Sequence, residues 1–130
     1  MNAKETAIVF IEFQNDFCKE GGALYGGTRD QIKAQGTVVN ARKCIEKARG
    51  KCLTLLVPIV FEPTYCDMGC QGVLGPIHAN VVNTKAFQKG TWGGAIIDEL
   101  GVPLNAPGSL TGIPPELLAK IDSQGTAAVL

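Results

Sequence analysis

Two short apolar runs dominate the hydrophobic pattern of the chain. Residues 6–12 (TAIVFIE) and residues 53–61 (LTLLVPIVF) are nearly continuous and rich in Val, Ile, Leu and Phe. Such runs are typical of strands buried on both faces, as in a parallel sheet covered by helices. Because proline cannot donate a ladder hydrogen bond, Pro58 is expected to mark the end or the edge of the second strand.

The segment between the two runs has helical spacing. The apolar positions that follow this spacing are Val38, Ala41, Ile45 and Ala48. Thr28 is followed by Gln31 in the form of a capping box, and Gly50 is a suitable stop. We therefore predict a helix over residues 28–49, which Gly36 could bend or split in two.

A strand, a helix and a strand in this order form a right-handed βαβ unit. The chain is therefore predicted to be α/β, a three-layer α/β/α sandwich (Rossmann-like) with a parallel sheet of three or four strands. Residues 14–27 read as a loop, and residues 62–89 show no clear period. Residues 93–100 and 114–123 resemble short helices, and residues 126–130 (TAAVL) resemble the start of another buried strand.

Composition narrows the classes of function. A chain of 130 residues is enough for one domain, and its twelve basic residues balance twelve acidic ones. This charge pattern favours neither a nucleic-acid partner nor a membrane surface, and the early apolar run is neither a signal peptide nor a membrane span. Five irregularly spaced cysteines predict reduced thiols in a cytoplasmic protein, with Cys44 and Cys52 in or near the core.

The most informative segment is residues 7–25 (AIVFIEFQNDFCKEGGALY), in which an acidic residue ends the first strand before Gln-Asn-Asp-Phe and a Gly-Gly turn. It resembles the opening of the isochorismatase-like cysteine hydrolases, which include the nicotinamidases. Residues 84–100 (TKAFQKGTWGGAIIDEL) resemble the segment that leads to a helix in one subgroup of that family. The resemblance implies hydrolysis of an amide-like C–N bond, or a related bond, in a small-molecule substrate, with no cofactor.

This family uses an acid on the first strand, a lysine on the third strand and a nucleophilic cysteine at the start of a later helix. The acid matches Glu12, and the carboxyl ends of parallel strands are where ligands bind. The lysine has no match in residues 102–112 (VPLNAPGSLTG), and the sequence ends at Leu130, before the expected cysteine. We therefore expect one domain over residues 1–130, truncated at its C-terminus and impaired in catalysis.

Whether the chain is an enzyme stays open at this point. The alternative is a non-catalytic, truncated relative that acts as a binding or assembly module. A third reading is a working enzyme that recruits Cys18, or residues of a partner subunit. Because truncation would expose a strand edge and an apolar sheet face, we expect a homo-oligomer.

The other candidate residues have competing interpretations. Phe17 and Trp92 are candidate substrate-binding residues, although Trp92 could equally serve in packing. Asp16 is expected to hydrogen-bond its own backbone in a turn. Cys66 and Cys70 lack the further ligands of a zinc site, so no metal site is expected. The chain's one histidine, His78, is expected to be a surface or partly buried side chain.

Overall fold

The computed structural model of this chain describes residues 2–49, 51–69 and 74–102, and within these ranges the sheet consists of two parallel strands. Strand β1 (Ala7–Ile11) pairs with strand β2 (Leu53–Val57), and Phe10 lies opposite Leu56. The predicted α/β class is confirmed, and β2 ends directly before Pro58. The helix predicted over residues 114–123 and the strand predicted over residues 126–130 lie outside the described residues.

Among the described residues, the two longest helices lie between the strands. Helix α2 (Tyr25–Gln35) and helix α3 (Thr37–Ala48) are separated by Gly36, whose φ of 58° is left-handed. The split that was predicted at Gly36 is confirmed. The capping box was wrong, because the helix already begins at Tyr25 and the Thr28 hydroxyl donates instead to the Phe17 carbonyl (2.6 Å).

Four further elements lie in segments predicted to be loops or a helix, and one of them is the 3₁₀ turn Cys66–Met68. Helix α1 (Asn15–Cys18) directly follows β1, and helix α4 (Pro76–Thr84) lies in the stretch without a clear period. The available signal for α4 was Pro76, since proline suits the first turn of a helix. The helix predicted over residues 93–100 is reduced to one 3₁₀ turn, Asp98–Leu100, and Gly101 ends it as expected.

The apolar core has two parts. One lies between the sheet and α3; its buried members are Phe10, Ala41, Ile45, Ile97 and Leu100. The other lies under α4; its buried members are Val81, Ala86 and Phe87. Within the described ranges, no helix is long and apolar enough to cross a membrane.

The two faces of β1 differ in burial, which corrects the expectation of a strand buried on both faces. Phe10 is 7% exposed, whereas Val9 is 48% and Ile11 is 61% exposed. The reason is that the cluster containing α3 packs on the face that carries Ile8 and Phe10. Cys44 is also exposed, contrary to prediction, because it lies beside the buried stripe of α3 rather than on it.

Two glycine substitutions in the helix pair should change the free energy of unfolding in opposite directions. Gly27 lies within α2 with no atom near the position of an added Cβ, so Gly27→Ala should stabilise the fold by about 0.5–1 kcal/mol. Gly36→Ala should destabilise it by about 1–2 kcal/mol, because a Cβ is strained at that left-handed φ. Urea unfolding measures both effects, provided that the m-values of the two variants equal that of the unchanged chain. Changes of the same sign in the free energy of unfolding would contradict the assignment of Gly36 as the helix break.

Candidate functional site

Glu12 directly follows the last residue of β1 and so lies at the carboxyl end of this strand, as predicted. Its backbone N–H donates to the Val57 carbonyl (2.8 Å), which extends the pairing of the two strands by one hydrogen bond. Its φ is 61°, a left-handed value that is uncommon for a residue with a long side chain. The side chain is half-buried, and among the described residues its carboxylate has no hydrogen bond or ion pair.

Gln14 joins the ends of both strands to a third segment. Its side chain is fully buried, and its Nε2 donates to the carbonyls of Ile59 (2.8 Å) and Gly94 (2.7 Å). Its Oε1 accepts the backbone N–H of Ile59 (2.8 Å). Its backbone forms an antiparallel bridge with Ile96. The amide is therefore satisfied at both ends, as a buried polar group must be.

Asp16 is a buried structural carboxylate. Its Oδ1 accepts the backbone N–H of Ala23 (2.9 Å), and its Oδ2 accepts that of Phe87 (2.7 Å), a residue 71 positions away. The prediction that Asp16 bonds its own backbone in a turn was wrong. Its side chain instead joins two separate segments, at Ala23 and Phe87. Asn15 acts in the same way, since its Nδ2 donates to the Trp92 carbonyl (2.6 Å).

Two glycines permit the close approach of these segments. A Cβ on Gly93 would contact both carboxylate oxygens of Asp16, and a Cβ on Gly22 would contact the carbonyl oxygen of Asn15. These neighbours are held by hydrogen bonds and cannot move aside, so only glycine fits at either position. Gly22 and Gly93, each a member of a Gly-Gly pair, thus pack directly against helix α1.

The predicted substrate-binding residues lie in different environments. The ring of Phe17 packs against that of Phe87, with centroids 4.7 Å apart, and belongs to the second core cluster. Trp92 is 53% exposed. The edge of its ring lies 4.0 Å from the position that a Cβ on Gly21 would occupy. Packing accounts for Phe17, and the exposed ring of Trp92 is the more accessible of the two. Their contact with a substrate stays a prediction.

Cys18 is poorly suited to nucleophilic attack. Its thiol is half-buried at the last residue of α1. Burial raises the pKa of this thiol, and the nearby carboxylate of Glu99 raises it further, against the opposing effect of a hydrogen bond with the backbone of Gln14. A raised pKa leaves less thiolate at neutral pH, and the thiolate is the reactive form.

Several other charged and metal-ligating side chains lie on the surface. Lys89 Nζ pairs with Glu62 Oε1 (2.9 Å) on the surface. His78 is exposed on α4, as is Cys66 on its 3₁₀ turn, and Cys70 lies outside the described residues. Across the part of the chain that the structure describes, no three His, Cys, Asp or Glu side chains form a group suited to a metal ion.

The paired hydrogen bonds of Asp16 make a second prediction. Asp16→Asn keeps the size of the side chain but places an NH₂ donor against the N–H of Ala23 or Phe87. The free energy of unfolding should fall by about 1–3 kcal/mol, because one buried donor loses its acceptor. Asp30→Asn, at an exposed residue paired with Arg29, is the matched control and should change stability by less than about 0.5 kcal/mol. Equal effects of the two substitutions in urea unfolding would contradict the structural role of Asp16.

Comparison with known proteins gives the family. The model of the isochorismatase domain matches residues 6–107. The ureidoacrylate amidohydrolase RutB of Rhizobium rhizogenes (strain K84) is 28% identical over 110 residues, which cover 77% of this chain and 45% of that protein. The protein of the same name from Agrobacterium fabrum (strain C58) is also 28% identical over 110 residues, covering 77% and 48%. The chain therefore spans less than half the length of these curated relatives. Because the domain model covers most of its residues, this chain belongs to the isochorismatase family.

Proposed function

We propose that this chain carries the acidic residue of an isochorismatase-family hydrolase site, and that Glu12 is this residue. The supporting observation is a contrast within one short segment. Gln14, Asn15 and Asp16 are buried, and their side chains are all hydrogen-bonded to backbone groups. Within the described residues, the half-buried carboxylate of Glu12 has no such partner and is free to accept a proton or to contact a ligand.

The proposed reaction is hydrolysis of an amide-like C–N bond, or a related bond, in a small molecule. The relatives named ureidoacrylate amidohydrolases support this class of substrate. Glu12 takes the proton of a thiol, and the thiolate attacks the carbonyl carbon. The C–N bond then breaks, the nitrogen leaves with a proton, and water hydrolyses the thioester to regenerate the thiol. This sequence of steps needs no cofactor.

We further propose that the chain by itself is impaired in this reaction. The family's lysine has no match in residues 102–112, where the resemblance places it. The raised pKa of the Cys18 thiol makes it a poor substitute nucleophile. Catalysis through Cys18 is therefore the outcome that would contradict the proposal.

Ammonia release measures this directly. The purified chain, incubated with nicotinamide or with ureidoacrylate, should release no more ammonia than buffer does, and Cys18→Ser should behave in the same way. Cys66→Ser is the matched control, because that thiol is exposed and lies on a separate 3₁₀ turn. Turnover that Cys18→Ser abolishes and Cys66→Ser preserves would reverse the conclusion and make Cys18 the nucleophile.

The role of Glu12 has its own readout. Nicotinamide at millimolar concentration should shift the amide resonances of residues 12 and 13 in the ¹⁵N-labelled chain, and Glu12→Gln should weaken this response. Glu46→Gln is the control, because Glu46 is an exposed residue that pairs with Arg42 on α3. A response that is unchanged in Glu12→Gln would reject Glu12 as the ligand-facing acid.

The exposed face of β1 favours a second candidate function, a non-catalytic assembly module that pairs with a second copy of the chain. Val9 and Ile11 project from the same face because side chains alternate along a strand. Exposed apolar area costs about 25 cal/mol per Å² relative to buried area, so covering this face stabilises a dimer.

The free cysteines at 18, 44, 52 and 66 support a reducing, cytoplasmic location for either function.

Assembly is tested by light scattering over a range of concentrations. The molecular mass should rise above that of the monomer in the micromolar range, and Ile11→Lys should shift the transition to at least tenfold higher concentration, because a charge in the contact costs roughly 1.4 kcal/mol or more. Val39→Lys is the matched control, since Val39 is similarly exposed (57%) but lies on α3. A stable monomer at all concentrations would remove the assembly function.

A further inference from the structure

The backbone of Glu12 is held in a conformation that its side chain disfavours. At a φ of 61°, the Cβ of an L-residue approaches the following carbonyl oxygen, and glycine and asparagine are the usual occupants of this region. Such a residue persists only when its surroundings fix the chain on both sides. The hydrogen bonds around Glu12 identify what fixes it.

Both peptide groups of Glu12 are engaged. Its N–H donates to the Val57 carbonyl (2.8 Å), and its carbonyl accepts the backbone N–H of Gln14 (2.9 Å). The second bond closes a γ-turn centred on Phe13, so the chain is held on both sides of Glu12, by Val57 before it and through Gln14 after it.

The side chain of Gln14 determines where that residue lies. It bonds both the N–H and the carbonyl of Ile59 (2.8 Å each), two positions beyond the Val57 carbonyl that holds Glu12. It also donates to the Gly94 carbonyl (2.7 Å). One buried amide thus clamps the turn after β1 to the segment after β2. A glutamate lacks the two donors, and a leucine lacks every polar group.

We propose that Gln14 is a positioning residue, whose buried amide holds Glu12 in its left-handed conformation and thereby sets the direction of the Glu12 carboxylate. The functional meaning of this inference rests on the proposed function of Glu12 as the acid of the site. The control of the Glu12 backbone by Gln14 does not rest on it.

The experiment reads the sign of φ at Glu12 by NMR. The amide and α protons of one residue come closest when φ is near +60°, so Glu12 should give a strong intraresidue cross-peak in the unchanged chain. In Gln14→Leu and Gln14→Glu this cross-peak should fall to the intensity seen for the extended residues of β1. Asn15→Leu is the matched control, because it removes a neighbouring buried amide that bonds Trp92 and not the Glu12 turn; it should keep the strong cross-peak.

A strong Glu12 cross-peak in folded Gln14→Leu or Gln14→Glu would overturn the inference, and so would its loss in folded Asn15→Leu. If neither Gln14 variant folds, Glu12→Gly in the otherwise unchanged chain decides. Under the clamp it should raise the folding equilibrium constant by about threefold, since glycine carries no strain there. No gain would show that Glu12 is not held against its preference and would overturn the inference.

The two proposals fail separately. A normal nicotinamide response in Glu12→Gln, together with loss of the Glu12 cross-peak in Gln14→Leu, rejects the acid and retains the clamp. The opposite pair of results rejects the clamp and retains the acid.

Discussion

The architecture of this chain depends on buried hydrogen bonds that extend from the three residues Gln14, Asn15 and Asp16 to distant segments. Their side chains reach partners at separations of 45 residues (Ile59), 71 residues (Phe87), 77 residues (Trp92) and 80 residues (Gly94). Each bond contributes only about 1 kcal/mol net, but a buried group that loses its partner costs more than the bond contributed. The network is therefore stable only when it is complete, and it joins one strand end to the remainder of the described fold.

This network explains how a strained residue is tolerated at the strand end. The left-handed turn at Glu12 is unfavourable in isolation, and the surrounding hydrogen bonds supply the stability that offsets it. Gly93 and Gly22 are also required for this network, because a side chain at either position would push α1 away from its hydrogen-bond partners. The polar side chains of Gln14, Asn15 and Asp16 thus serve structure, whereas the Glu12 carboxylate makes no hydrogen bond within the described residues.

The sequence predicted the features that depend on local patterns. Apolar runs and glycine predict both strands, a bend or split at Gly36 and the position of Glu12 after β1. It did not predict the partners of Asp16, because no local pattern identifies a backbone N–H that lies 71 residues away. Helix α4 was missed because its surroundings lack a period, and the exposure of Ile11 depends on what covers the sheet, which an apolar run does not specify.

The placement of the acid is separable from the chemistry that it would support. Among the described residues, the hydrogen bonds that orient Glu12 and Gln14 lie within residues 12–94. A thiol nucleophile requires the opposite environment to that of Cys18, namely one that lowers the pKa of the thiol. A preorganised carboxylate without such a thiol can still recognise a ligand, because orientation is set by rigid neighbours before any reaction begins. Under the proposed role of Glu12, ligand binding and turnover would therefore be distinct properties, and the first would not depend on the second.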